Sequence, residues 1–238
     1  MAQCSLLKKP DHEVKIVDLM AAKRVLAVVD QGLVGGRVGD PEPGRMCVEA
    51  AVSFAMGYDH GDDPICVDSD LRSEKIGLND TDGWKNDKDR AKGLRRVAIA
   101  QLGSAGKFNF GQYRKLLAEQ LNIICAAQFE KEAKDHRATF ARLQKMKIKN
   151  YTDLQQAKEI AEDFYRRVED DYFASEDSVN TSVNAEDVIQ SLRDMGFDDS
   201  KSLHMTAEMM VTVLKKMKIK GTKYLHLTEK KPKGKKRR

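Results

Sequence analysis

Apolar positions recur along this chain every three or four residues, the spacing of helices that bury one face. Between about Val14 and Gln31, Ile16, Leu19, Met20, Ala22, Leu26 and Val29 form such a stripe, and Gly32 offers a stop. GLVGGRVGDPEPG follows, with five glycines and two prolines, and reads as a loop. Met46 to Met56 is different, because nine of its eleven positions are apolar or small. Only Glu49 and Ser53 interrupt it, four apart on one side, as expected for a central helix wrapped by others.

Asp68 or Ser69 can cap a short helix through Leu71, Lys75 and Ile76. Asp87 can cap a further helix over Lys88 to Leu102, where Leu94, Val97, Ala98 and Leu102 share a face before Gly103. Phe108 to about Met146 is one long helical tract, allowing one break, with Leu116, Leu117, Leu121, Ile124, Cys125, Phe129, Phe140 and Leu143 in its stripe. Thr152 and Gln155 match a capping box opening a helix to about Tyr172.

ASEDSVNTSVN, residues 174–184, is polar with little to bury and reads as a linker. Beyond it, Asn184 can cap a helix through Val188, Ile189 and Leu192. Phe197 to His204 reads as a turn, and Thr206 as the cap of a helix through Met209, Met210, Val213 and Leu214. MKIKGTKYLHL alternates about Gly221-Thr222 and predicts a small β-hairpin. The expected fold is therefore mainly α: a multi-helix core around a buried central helix, plus a small C-terminal helix-turn-helix-like module with a hairpin. The expected divisions are a core over 1–173, a linker over 174–184, a winged-helix-like module over 185–229 and a basic tail over 230–238.

Composition supports helices: aromatic residues are 6% of 238, while charged residues are 33%. The formal charge of +5 is unevenly placed. KKPKGKKRR at the end holds seven Lys/Arg and no acid, and without it the charge falls to −2. Any attraction to nucleic acid is therefore expected from that end of the chain. The first residues lack the apolar run of a signal peptide, and no stretch has the roughly 18 apolar residues of a membrane span. Four cysteines without a CxxC pair fit a cytoplasmic chain with reduced thiols.

The segments GRMCVEAA, HGDDPICV, LND, Trp84 and RAKGLRRVAIAQLGS resemble a family of bacterial and phage proteins of unassigned activity. The resemblance spans about Val25 to Ser104. It implies a bacterial or phage origin and a compact helical module, and it transfers no catalytic residue.

Cys47 is a candidate nucleophile, since it lies near a helix start where the dipole would favour a thiolate. His60 would be its base and Asp62, Asp63 or Asp68 would orient the imidazole, giving a thiol-dependent hydrolase or transferase. Packing is the preferred role for Cys47, since free cysteines are commonly buried and no protease signature surrounds this one. A zinc site from Cys47, His60 and Cys66, with Cys4 or an aspartate as fourth ligand, lacks the close ligand pairs of structural zinc. Asp62, Asp63, Asp68 and Asp70 offer oxygens to a hard cation, yet turn and cap duty explains them without one. The glycine-rich loop has no Gly-Lys-Ser/Thr ending and is not a phosphate cradle. Trp84 is read as an anchor for its loop. No metal and no cofactor is expected.

The basic end is the strongest functional signal. Lys230, Lys231, Lys233, Lys235, Lys236, Arg237 and Arg238 would neutralise phosphates, and Lys215, Lys216, Lys218, Lys220 and Lys223 would extend that surface. The expectation is a non-enzymatic partner of DNA, RNA or a nucleoprotein, with no membrane association. The alternatives are the Cys47/His60 enzyme and a phage factor docking on a host protein assembly.

Overall fold

A computed structural model of the chain describes residues 6–10, 13, 16–147, 152–153, 155–162 and 182–229, excluding the side chains at 129, 130, 132, 133, 136, 140 and 144. The expected Tyr172 helix end, most of the 174–184 linker, Cys4, Phe129, Phe140 and the 230–238 tail lie outside this description. The chain is mainly helical, and no β-strand occurs among the described residues. Its helices are α1 (Leu19–Val29), α2 (Val48–Met56), α3 (Ser69–Asp80), α4 (Asp87–Ala100), α5 (Phe110–Lys145), α6 (Ala185–Asp194) and α7 (Asp199–Lys216), followed by a 3-10 helix (Lys220–Thr228). Residues 155–162 are also helical.

Polar caps decide where most of these helices begin. Asp18, Asp68, Asn86, Asn184 and Asp198 each accept a hydrogen bond from a first-turn N–H, which would otherwise lack a partner. The start of α1 at Asp18 changes the predicted stripe. Ala21, Ala22, Val25, Leu26, Val28 and Val29 are buried, whereas Ile16, Leu19 and Met20, expected in the core, are exposed. Ile16 precedes the cap, and Leu19 and Met20 occupy the outward side of the first turn. Similarly, α7 begins at Asp199, so the turn expected over Phe197 to His204 is mostly helix. Thr206 is internal, its hydroxyl donating to the Ser202 carbonyl.

Two compact units divide the chain: residues 1–117 with 182–238, and residues 118–181. In the first, α1, α2 and α4 pack together, α3 lies on α2, and α6 and α7 pack on α3 and α4 respectively. The C-terminal helices therefore belong with the N-terminal ones and do not form a module apart from them. Val188, Ile189, Leu192, Leu203, Met210, Val213 and Leu214 are all buried, and a helix pair this apolar is stable only against other helices. The second unit contains most of α5, unbroken over its 36 residues, and the 155–162 helix, where Lys158 and Glu162 pair at 3.7 Å.

The predicted hairpin over residues 217–227 is replaced by the 3-10 helix. A two-residue hairpin turn would need a left-handed residue at its centre, but Gly221 is not among the positive-φ glycines. Its role is close approach. The Gly221 N–H donates to the Leu102 carbonyl at 2.8 Å, and a Cβ there would lie 2.0 Å from the Ile99 oxygen. Thr222 and Thr228 hydroxyls donate three residues back, to Ile219 and Leu225 carbonyls, and tighten the same coil.

At the centre of the first unit, the Lys75 ammonium on α3 pairs with the Glu49 carboxylate on α2, both side chains wholly buried. Gln101, just past α4, donates to the other Glu49 oxygen at 3.3 Å. Burial pushes the Glu49 carboxyl up and the Lys75 amine down, each toward its neutral form, and each partner opposes the other's shift. Glu49 thus takes its buried polar contacts from Lys75 and Gln101, while the Gln101 side-chain oxygen has no hydrogen-bond partner of its own. Lys75→Met alone should destabilise the protein by about 3–5 kcal/mol, because it strands a buried carboxylate. Lys75→Met with Glu49→Leu should recover most of that loss, as urea unfolding would measure.

Candidate functional site

Cys47 caps α2: its sulfur accepts from the Ala50 N–H at 3.4 Å, and the residue is 5% exposed. Burial is the largest influence on the thiol and raises its pKa, outweighing the hydrogen bonds from the helix start that pull the other way. The dipole effect sought in the sequence is thus present but is overcome by desolvation. His60 is exposed, and its Nε2 lies 2.9 Å from the Gly39 carbonyl, which occupies one ring nitrogen with backbone. Asp62 lies near enough to raise the Cys47 pKa slightly. Its charge therefore opposes a thiolate there.

Cys66 is half-buried; its thiol hydrogen-bonds the Tyr58 hydroxyl, and burial again raises its pKa. Among the described residues no group of three or more His, Cys, Asp or Glu is placed to hold a metal ion. The aspartates have local duties. Asp63 pairs with Arg72 at 3.0 Å, Asp68 caps α3, and Asp70 sits in the first turn of that helix.

The glycine-rich loop is built into the fold. Asn79 Nδ2 donates to Val34, Arg90 Nη1 donates to Leu33, and the Arg90 guanidinium lies so close over Gly35 that a Cβ would be 2.7 Å from Nη2. Trp84 anchors its loop as expected, its Nε1 donating to Leu78 at 3.1 Å and its ring meeting His204 edge-on at 5.2 Å. A Cβ at Gly93 would lie 2.3 Å from the indole, so the helix must present bare backbone to it. Asp89 accepts from Ser200 at 2.9 Å and lies 3.0 Å from His204 Nε2. Burial opposes the Asp89 charge, but these bonds and the Lys85 N–H outweigh it and hold the carboxyl below its usual range. Sequence reading missed this cluster, since its members lie more than a hundred residues apart and none belongs to a motif.

At the other end, the lysines singled out from the sequence lie along one stretch. Lys215, Lys216, Lys218 and Lys223 are exposed and Lys220 is half-buried. Lys218 is the single non-glycine residue at positive φ among the described residues, at 56°. It follows the C-cap of α7, where the Ile219 N–H turns back to the Leu214 carbonyl at 3.1 Å and buries Ile219. The 3-10 helix then carries the chain to Thr228, whose carbonyl accepts from Arg95 at 2.8 Å while Asp30 holds the same guanidinium.

Compared with protein-family models, curated proteins and solved structures, the chain has no match. The likeness of GRMCVEAA and RAKGLRRVAIAQLGS to bacterial and phage proteins therefore has no matched family behind it.

The buried thiols generate a prediction. In the native protein Cys47 should react with iodoacetamide at least a hundredfold more slowly than in urea, because a buried, protonated sulfur is both hidden and a poor nucleophile. Both thiols have raised folded pKa values, so their contribution to stability is complete below the ordinary thiol pKa of about 8.5 and is lost as pH rises through the folded values. Thermal stability should accordingly drop on the alkaline side, and a Cys47→Ala, Cys66→Ala double variant should show a smaller drop.

Proposed function

We propose that the protein binds nucleic acid through the lysine-rich end of its first unit, by neutralising backbone phosphates without reading sequence. The observation that carries this reading is Lys218. A left-handed conformation costs a side-chain-bearing residue about 1 kcal/mol, and helix ends of this type usually use glycine. An exposed lysine at φ 56° therefore carries a folding penalty at a position where the fold itself needs no side chain. Lys215, Lys216, Lys220 and Lys223 surround it in sequence, and seven more cations follow Glu229.

Electrostatics also supports the choice. Arg95 and Arg96 on α4 are paired with Asp30 and Glu208, each at 2.6 Å, and so contribute little free charge. The reading as a Cys47/His60 enzyme has no comparable support, given a buried thiol raised in pKa and an imidazole bonded to backbone.

The test is binding to a 20-base-pair duplex and to a single-stranded RNA of equal length, across a salt series. Each phosphate contact on duplex DNA should add about −0.9 to the slope of log affinity against log salt. A chain ending at Glu229 should bind more weakly with a shallower slope; unchanged affinity and slope would overturn the proposal. Lys218→Gly separates function from folding: unfolding should become harder by up to about 1 kcal/mol while binding weakens.

A further inference from the structure

A 3-10 helix repeats every three residues, so side chains at i, i+3 and i+6 stand above one another in rows. The coil over Lys220–Thr228 is sorted in this way into three rows. Thr222, Leu225 and Thr228 make one, with Leu225 buried and both hydroxyls bonded to backbone. Gly221, Tyr224 and Leu227 make another, seated by the bare Gly221 backbone and by the Tyr224 hydroxyl, 3.5 Å from the Val17 carbonyl. The third row, Lys220, Lys223 and His226, faces outward: Lys223 and His226 are exposed and Lys220 is half-buried. With a rise of about 2.0 Å per residue its members stand about 6 Å apart, close to the separation of neighbouring phosphates along a strand.

The two lysines belong to the surface already proposed. His226 adds a different chemistry, because its ring is held in a defined way. Its Nδ1 lies 3.0 Å from the Lys223 carbonyl. A carbonyl only accepts, so Nδ1 carries the hydrogen and Nε2 is the nitrogen left to take up a proton. Protonation adds an N–H donor and a positive charge in line with the lysines, on an exposed ring.

Charges around the row differ between its ends. The coil runs back along α4, from Gly221 against Ile99 and Leu102 to Thr228 on Arg95. Lys220 meets the Gly103 turn, which is bonded to Cys66 in a loop bearing Asp62, Asp63, Asp68 and Asp70. Asp63 there pairs with Arg72, and Asp68 caps α3. His226 lies two turns of the coil beyond Lys220, toward Arg95. Of the helices packed on the coil, α1 carries Lys23 and Arg24, with Asp30 at its end held by Arg95. Glu208 of α7 is held by Arg96, and Lys215 and Lys216 close that helix. Glu229 follows His226 by three residues but leaves the coil in an extended conformation, and seven Lys/Arg come after it in sequence.

We propose that His226 is a third phosphate contact of this row, made only when its imidazole is charged, so that the chain grips a nucleic-acid backbone more tightly at mildly acidic pH. This rests on the proposed nucleic-acid function and adds to it a binding residue and a proton. An adjoining phosphate favours the charged ring, so binding and protonation assist each other. The gain in affinity is therefore complete where the free histidine is already charged, and is lost as pH rises through the range where the bound ring gives up its proton, within about pH 5 to 8.

The experiment uses the full chain and a 20-base-pair duplex, with salt series at pH 5.5 and pH 8. The native chain should bind about tenfold more tightly at pH 5.5. Its slope of log affinity against log salt should also be steeper there by about 0.9, the value of one phosphate contact. His226→Gln should lose both differences, and His226→Lys should bind at pH 8 as the native chain does at pH 5.5. The chain has five histidines, and the Gln variant separates this one from the rest. If that variant keeps the native response to pH, or if the native chain binds equally at both pH values, the inference falls and phosphate binding stands. A His226→Lys chain no tighter than native at pH 8 would also sink it. Absence of salt-dependent binding at either pH would overturn the underlying function instead.

Discussion

The first unit is organised around a charge pair that no water reaches. Glu49 comes from the most apolar of the described helices, Lys75 from the helix beside it, and Gln101 from the end of a third. Burying either ion alone would be severely unfavourable, and each becomes tolerable only where the other two groups are placed. The ion pair therefore adds selectivity to the packing: of the many ways in which α2, α3 and α4 could press apolar faces together, few bring these three groups into contact.

That constraint also bears on the chemistry near it. Cys47 stands two residues before Glu49, and the Glu49 and Lys75 charges act on both Cys47 and Cys66. A sequence showing cysteine, glutamate, histidine and aspartate within a short span invites an enzymatic reading. Here the glutamate is consumed by the fold, the cysteine is sealed with it, and the histidine lies out on the surface bonded to a carbonyl. Proximity in sequence did not become proximity in a cleft.

Much of the architecture was legible in the sequence, for identifiable reasons. The all-round apolar character of 46–56 predicts a central helix, and its two polar residues, Glu49 and Ser53, already mark the side that faces Lys75. Asp68 and Asn184 cap as their positions indicate. What the sequence did not disclose depends on distant partners: Asp89 with His204, Arg95 with Thr228, and the seat of Gly221 on α4. Alternation over 217–227 resembles a strand because a coil with three residues per turn can also bury alternate-looking positions, and only the close approach at Gly221 decides between them. The α1 stripe misled for a related reason, since periodicity gives the spacing of a face but not where the helix begins. For the candidate site, the cluster of lysines was visible as composition, whereas the strained backbone at Lys218 was not.

The seat of Gly221 has a practical side. The last described coil fills space against the carbonyl end of α4, so the protein's end is structurally part of its beginning. Cuts that reach into the 3-10 helix would expose helix ends and apolar surface formed by residues more than a hundred positions earlier. Fragments meant to isolate the first hundred residues should be insoluble, and tags are better attached beyond Glu229.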